Sequence, residues 1–89
     1  MTDMVQTKHP LGKNNKPVKR ENYELFKNTI IAVLREREPT HTGLVDELES
    51  RLAGFDGNID WHAMTIKLDL EARGVIERTA TTPQRYRLA

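Results

Sequence analysis

Residues 60 to 88 read Asp60-Trp-His-Ala-Met-Thr-Ile-Lys-Leu-Asp-Leu-Glu-Ala-Arg-Gly-Val-Ile-Glu-Arg-Thr-Ala-Thr-Thr-Pro-Gln-Arg-Tyr-Arg-Leu88. The pattern is a capped helix that stops at a glycine and leads directly into a short β-hairpin. Asp60 suits an N-cap, and the flanking Ile59 and Met64 occupy the two positions of a hydrophobic staple. At the other end Gly74 takes the C′ position, with Leu70 one turn before it and Val75 just beyond, the apolar pair that closes a Schellman motif. These signals predict a helix over 61–73. Residues 75–78 and 85–88 then have strand character on either side of a Thr/Pro turn, with Tyr86 and Leu88 on one face and Arg85 and Arg87 on the other.

Upstream, Thr42 offers a hydroxyl to cap a second helix that buries Leu44, Val45, Leu48 and Leu52. Gly54 closes it in the left-handed conformation, and Phe55 folds back on the preceding turn. A first helix begins after Asn22, keeps Tyr23, Phe26, Ile30, Val33 and Leu34 on one face, and ends at Pro39; the extended pair Thr40-His41 joins the two. Residues 8–20 mix proline, glycine, asparagine and lysine with few apolar side chains, so residues 1–20 are expected to be a flexible basic arm and residues 21–89 a single folded domain.

Composition agrees with that division. Eighty-nine residues, 37% hydrophobic and 30% charged, suffice for one small core. The absence of cysteine removes disulfides, thiolate chemistry and cysteine-ligated zinc together. No apolar run approaches the ~20 residues of a membrane span, and Met1-Thr-Asp-Met-Val-Gln lacks the apolar stretch of a signal peptide, so a cytoplasmic location without a membrane partner is expected. The net charge of +1 hides a strong polarity: residues 1–20 carry +4, residues 21–77 carry −6 and residues 78–89 carry +3. A polyanion is therefore attracted to both ends and repelled by the helical middle.

Helix, short extended segment, helix, loop, helix and hairpin follow one another over residues 22–88, and Leu70-Glu-Ala-Arg-Gly-Val-Ile-Glu-Arg78 resembles the join between recognition helix and wing in bacterial winged helix-turn-helix regulators. Leu68-Asp-Leu-Glu-Ala-Arg-Gly74 followed by Pro83-Gln-Arg85 is similar to a family of short bacterial winged-helix proteins of unknown function. The resemblance implies an α+β fold, a three-helix core plus a C-terminal β-hairpin wing, and double-stranded DNA binding as a small transcriptional regulator. It implies phosphate contacts from the wing (Thr82, Gln84, Arg85, Arg87) and the arm (Lys13, Lys16, Lys19, Arg20), with His62, Thr65 and Arg73 toward the groove. Trp61, Met64 and Leu68 also fall at groove-facing positions, where a base reader normally carries hydrogen-bonding side chains. A carboxylate at Asp69 is likewise out of place beside phosphate.

At 100° per residue, Ile59, Ala63, Ile66 and Leu70 form the core stripe of the third helix, while Trp61, Met64, Leu68 and Ala72 lie opposite. Two polar strips separate them, one of His62, Thr65, Asp69 and Arg73, the other of Lys67 and Glu71. A helix apolar on two sides is sandwiched, so the wing, the Phe55 loop or a second subunit covers the Trp61 side. The expectation is that these residues complete the domain's own core. The alternative function is protein–protein interaction or homodimerisation through Trp61, Met64 and Leu68. Competing readings stand for the charged residues too: a solvated face for the polar strip, and protection of an edge strand from aggregation for Arg85 and Arg87.

Catalysis is not expected. His9, His41 and His62 have neither metal-ligand spacing nor a serine or cysteine partner, and Gly54-Phe-Asp-Gly57 reads as a helix stop and turn, not a phosphate loop. No enzyme activity, metal or cofactor is expected.

Overall fold

Tyr23, Phe26, Ile30, Val33 and Leu34 recur at three- and four-residue intervals, and their helix winds them onto one buried stripe. The computed structural model describes residues 3–89. Its elements are β1 (Met4–Gln6), β2 (Pro17–Lys19), α1 (Arg20–Glu36), α2 (His41–Arg51), α3 (Ile59–Ala72), β3 (Ile76–Arg78) and β4 (Tyr86–Leu88). The class is α+β: three helices and two separate antiparallel strand pairs. Phe26, Ile30 and Val33 of α1 meet Leu44 and Leu48 of α2 and Ala63, Ile66 and Leu70 of α3, and Ile76 and Tyr86 close the core from the C-terminal hairpin.

Local signals place most boundaries within two residues. Val75 N–H donates to Leu70 O at 2.9 Å and Gly74 N–H to Glu71 O at 3.1 Å, with Gly74 at φ +75°, which is the Schellman closure read from the sequence. The helix starts are shifted. Asn58 caps α3, its side chain accepting from Trp61 N–H at 2.9 Å, so the expected pairing of Ile59 with Met64 is lost and Met64 is exposed. Thr40 caps α2 through Gly43 N–H at 3.1 Å, two residues before the expected Thr42. At Gly57, φ is +146° and a Cβ would come within 2.9 Å of the Phe55 ring, so glycine is required where this loop folds under Phe55.

The expectation that residues 1–20 form a flexible arm is corrected, except for Met1 and Thr2, which lie outside the described residues. Strands β1 and β2 pair in the register Met4↔Lys19, Val5↔Val18 and Gln6↔Pro17, and Val5 and Val18 are buried against the core. The pair also supplies the start of α1, since Arg20 N–H donates to Asp3 O at 2.9 Å; Asn22 lies inside the helix and caps nothing. Each strand contributes a single inward valine, too little alternation to register as a strand in composition, and the docking depends on contacts with residues about fifty positions away.

At the other end, β3 and β4 pair as Ile76↔Leu88, Glu77↔Arg87 and Arg78↔Tyr86. Tyr86 is buried, and Arg85 and Arg87 are exposed. Tyr86 N–H also donates to Pro39 O at 2.9 Å, which ties the extended segment between α1 and α2 to the hairpin.

Candidate interaction surface on the third helix

Each flank of α3 is claimed by another element. Ala63, Ile66 and Leu70 face the core. On one side the N-terminal hairpin covers the strip that the sequence assigns to solvent or a DNA groove: Thr65 and Asp69 are buried, Thr65 O accepts from Asn15 Nδ2 at 3.2 Å, and Asp69 Oδ1 accepts from Lys8 N–H at 2.8 Å. Asp69, fully buried, also accepts from Tyr23 OH at 2.5 Å and from Arg73 Nε at 2.9 Å. One carboxylate thus joins α1, α3 and the N-terminal hairpin. Burial and the bond to Asp69 together push the Tyr23 phenol up to about 12.

On the opposite flank Lys67 is buried. Its Nζ donates to Tyr86 OH at 2.9 Å, sits 4.1 Å from the centre of the same ring, and lies 3.1 Å from His41 Nδ1. His41 Nε2 is 3.1 Å from Asp60 Oδ1. A histidine hydrogen on Nε2 satisfies both contacts, donating to Asp60 and leaving Nδ1 to accept from the ammonium. The chain Asp60, His41, Lys67, Tyr86 fastens the start of α2 to β4 across α3.

These placements revise the sequence-derived groove residues. Thr65 is covered, Arg73 is engaged with Asp69, and His62 leans inward, its ring stacked on Phe26 at 5.1 Å and edge-on to Phe55. The C-terminal hairpin arginines are exposed but held: Arg87 Nε donates to Glu77 at 2.8 Å, and Arg85 Nη1 to Glu38 O at 3.0 Å. Thr82 and Gln84 are exposed in the intervening turn. At the start of α1 Arg20 pairs with Asp3 at 2.6 Å, whereas Lys8, Lys13, Lys16 and Lys19 of the N-terminal hairpin are exposed and form no ion pair among the described residues.

What remains open is the outer side of α3. Trp61 is 41% exposed and Met64 49%, with Leu68 half-buried beside them. The expectation that these three complete the domain's own core is therefore corrected. The C-terminal hairpin packs on one flank and the N-terminal hairpin on the other, and the N-terminal loop reaches over the end of the helix, where His9, Pro10 and Leu11 line a cavity with Glu71 and Arg78. The strip leads from Trp61 toward Ala72, where the hairpin loop and the helix enclose an open cleft of about 400 Å³. Sequence periodicity located this strip but not its exposure.

Fold and surface define a small α+β module whose third helix is clamped on two flanks and apolar on its free side. The chain belongs to DUF6958, a family of unknown function whose profile matches residues 4–86. No curated protein and no solved structure matches it. Among the described residues no helix is long and apolar enough to cross a membrane.

Proposed function

We propose that the chain is a winged-helix domain working as a protein-interaction module, and that Trp61, Met64 and Leu68 form the surface it presents. The exposure of a tryptophan and a methionine side by side on one helix carries this reading. Residues of this kind are enriched at interfaces, and a small domain gains nothing from leaving them in water. The winged-helix assignment is supported by the succession of three helices and a hairpin, and by the bond from Tyr86 to the segment between the first two helices. Base reading by α3 lacks support, because Thr65 and Asp69 are covered and the open side has no suitable donors.

With a photo-reactive amino acid in place of Met64, irradiation of producing cells is expected to give one discrete adduct. The same group in place of exposed Glu49 on α2 is expected to give none. Absence of an adduct at position 64, or the same adduct from both positions, overturns the reading.

A second reading, duplex DNA binding as a small regulator, is favoured by the four unpaired lysines of the N-terminal hairpin. It moves the expected phosphate contacts away from Arg85 and Arg87, whose guanidinium groups already have partners. It predicts duplex binding at low salt, with the slope of log K against log salt reduced by about 0.9 for each of Lys13, Lys16 and Lys19 changed to alanine. No binding at low salt removes it.

A further inference from the structure

We infer that the cleft between the N-terminal hairpin loop and the end of α3 is a binding site for a terminal phosphate group, the dianion that inorganic phosphate and small phosphate monoesters carry. The site is independent of the α3 face and of the duplex reading.

The hairpin loop uses its acceptors on itself. The carbonyls of Lys8, His9, Asn15 and Lys16 accept, in that order, from Asn15 Nδ2, Gly12 N–H, Gln6 Nε2 and Thr7 Oγ1, and Asn15 Oδ1 accepts from Lys16 N–H. Donors are left over. The successive amides of Lys13, Asn14 and Asn15, the Asn14 carboxamide and the ammonium groups of Lys8 and Lys13 have no protein acceptor among the described residues. His9 adds one more, because Leu11 N–H donates to its Nδ1 at 3.1 Å and the ring hydrogen therefore sits on Nε2. All five residues line the cleft, whose volume is about 400 Å³. A concave wall of unused N–H groups attracts an anion.

Charge agrees with this. No carboxylate lines the cleft, and the chain has no acidic residue between Asp3 and Glu21. Asp69, which holds Lys8 N–H, and Glu71, which lines the adjoining cavity with His9, are paired with Arg73 and Arg78. The ammonium groups of Lys8 and Lys13 are left uncompensated.

The kind of anion follows from counting. A phosphate monoester carries about −1.5 to −2 charges at pH 7 and three strong acceptor oxygens. Two ammonium groups match that charge, and the leftover N–H groups match the oxygens; a carboxylate has half the charge and one oxygen fewer. The cleft also falls within the roughly 300–1,000 Å³ of small-molecule sites, whereas a duplex phosphodiester carries a single charge on the outside of a wide cylinder. A free small phosphate suits it better. Little ordering remains for binding to complete, since Lys8 N–H to Asp69 at 2.8 Å and Asn15 Nδ2 to Thr65 O at 3.2 Å fasten both sides of the loop to α3.

Titration of the full chain with inorganic phosphate, followed in proton–nitrogen correlation spectra at constant ionic strength, tests this. Saturable shifts are expected at the amides of Lys13, Asn14 and Asn15, in the millimolar range because the ammonium groups are exposed. AMP is expected to shift the same amides and adenosine to leave them unmoved. Lys8→Ala with Lys13→Ala is expected to weaken binding about tenfold, the loss of a charge-assisted hydrogen bond. Lys16→Ala with Lys19→Ala removes the same charge from residues that do not line the cleft, and is expected to weaken it less than about twofold. Shifts that never saturate, equal shifts from chloride or adenosine, or equal weakening by the two double variants overturn the inference. Duplex DNA in the same assay separates this failure from that of the duplex reading. Duplex binding without a saturable phosphate shift removes the cleft and keeps that reading, and a saturable phosphate shift without duplex binding does the reverse.

Discussion

Asp69→Ala is expected to remove about 3 kcal/mol of stability, the lower end of the cost of breaking a buried charge pair. The carboxylate is fully buried and holds three groups: Lys8 N–H at 2.8 Å, Tyr23 OH at 2.5 Å and Arg73 Nε at 2.9 Å. Deleting it leaves the phenol and the amide unpaired inside the protein, at about 1–3 kcal/mol for each such group before relaxation. The Arg73 side chain is 36% exposed and rehydrates readily, so its share of the loss is smaller. A small domain is stable by roughly 5–15 kcal/mol, with short chains near the bottom of that range, and the variant is thus close to unfolding at body temperature. Urea unfolding followed by circular dichroism measures the loss. A loss below about 1 kcal/mol would mean that Asp69 does not join the three elements.

The same residue contributes to an alkaline transition. Tyr23 is raised from 10.0 to about 12, first by burial and then by its bond to Asp69. A group whose folded pKa lies above its unfolded value stabilises the fold fully below the unfolded pKa. The Tyr23 contribution is therefore complete below pH 10 and lost as the pH climbs toward 12. In Asp69→Asn the carboxylate charge is gone, and tyrosinate absorbance is expected to show this phenol titrating closer to its ordinary value.

Val18→Asp is expected to detach the N-terminal hairpin, at about 2–4 kcal/mol. Val18 is 2% exposed, pairs with Val5 and belongs to the apolar core, so a carboxylate there is buried among hydrocarbon side chains. The cost is limited by the free energy of undocking the hairpin, because a detached hairpin returns the new charge to water. Undocking uncovers Tyr23, Thr65 and Asp69, so amide exchange is expected to accelerate at Val5, Thr7 and Lys8 and in α3 around Asp69, while the contact between α1 and α2 stays protected. Exchange unchanged along residues 3–19 would mean that those residues behave as an arm and not as part of the fold.

Much of the architecture was legible because it is written locally. Gly74 between Leu70 and Val75 specifies a helix end within six residues, and the Tyr86/Leu88 alternation specifies which hairpin face is buried. The stripe from Tyr23 to Leu34 specifies the inner side of α1, since 3.6-residue periodicity acts through the chain's own winding. The caps at Thr40 and Asn58 were misplaced by two residues because Thr42 and Asp60 are equally good capping residues nearby, and packing chose between them.

By itself, then, the sequence determined the three helices, their inward faces, the C-terminal hairpin and a third helix apolar on two sides. Tertiary structure alone decided the rest. It turned a lysine-rich N-terminal segment into a docked hairpin, buried Asp69 and Lys67 where periodicity assigns polar strips, and left Trp61 and Met64 uncovered. The reason is the same in each case: burial of a polar strip or exposure of an apolar one depends on which distant element arrives beside it. Asp69 meets its partners across 46 and 61 residues of chain, a distance over which local pattern carries no information.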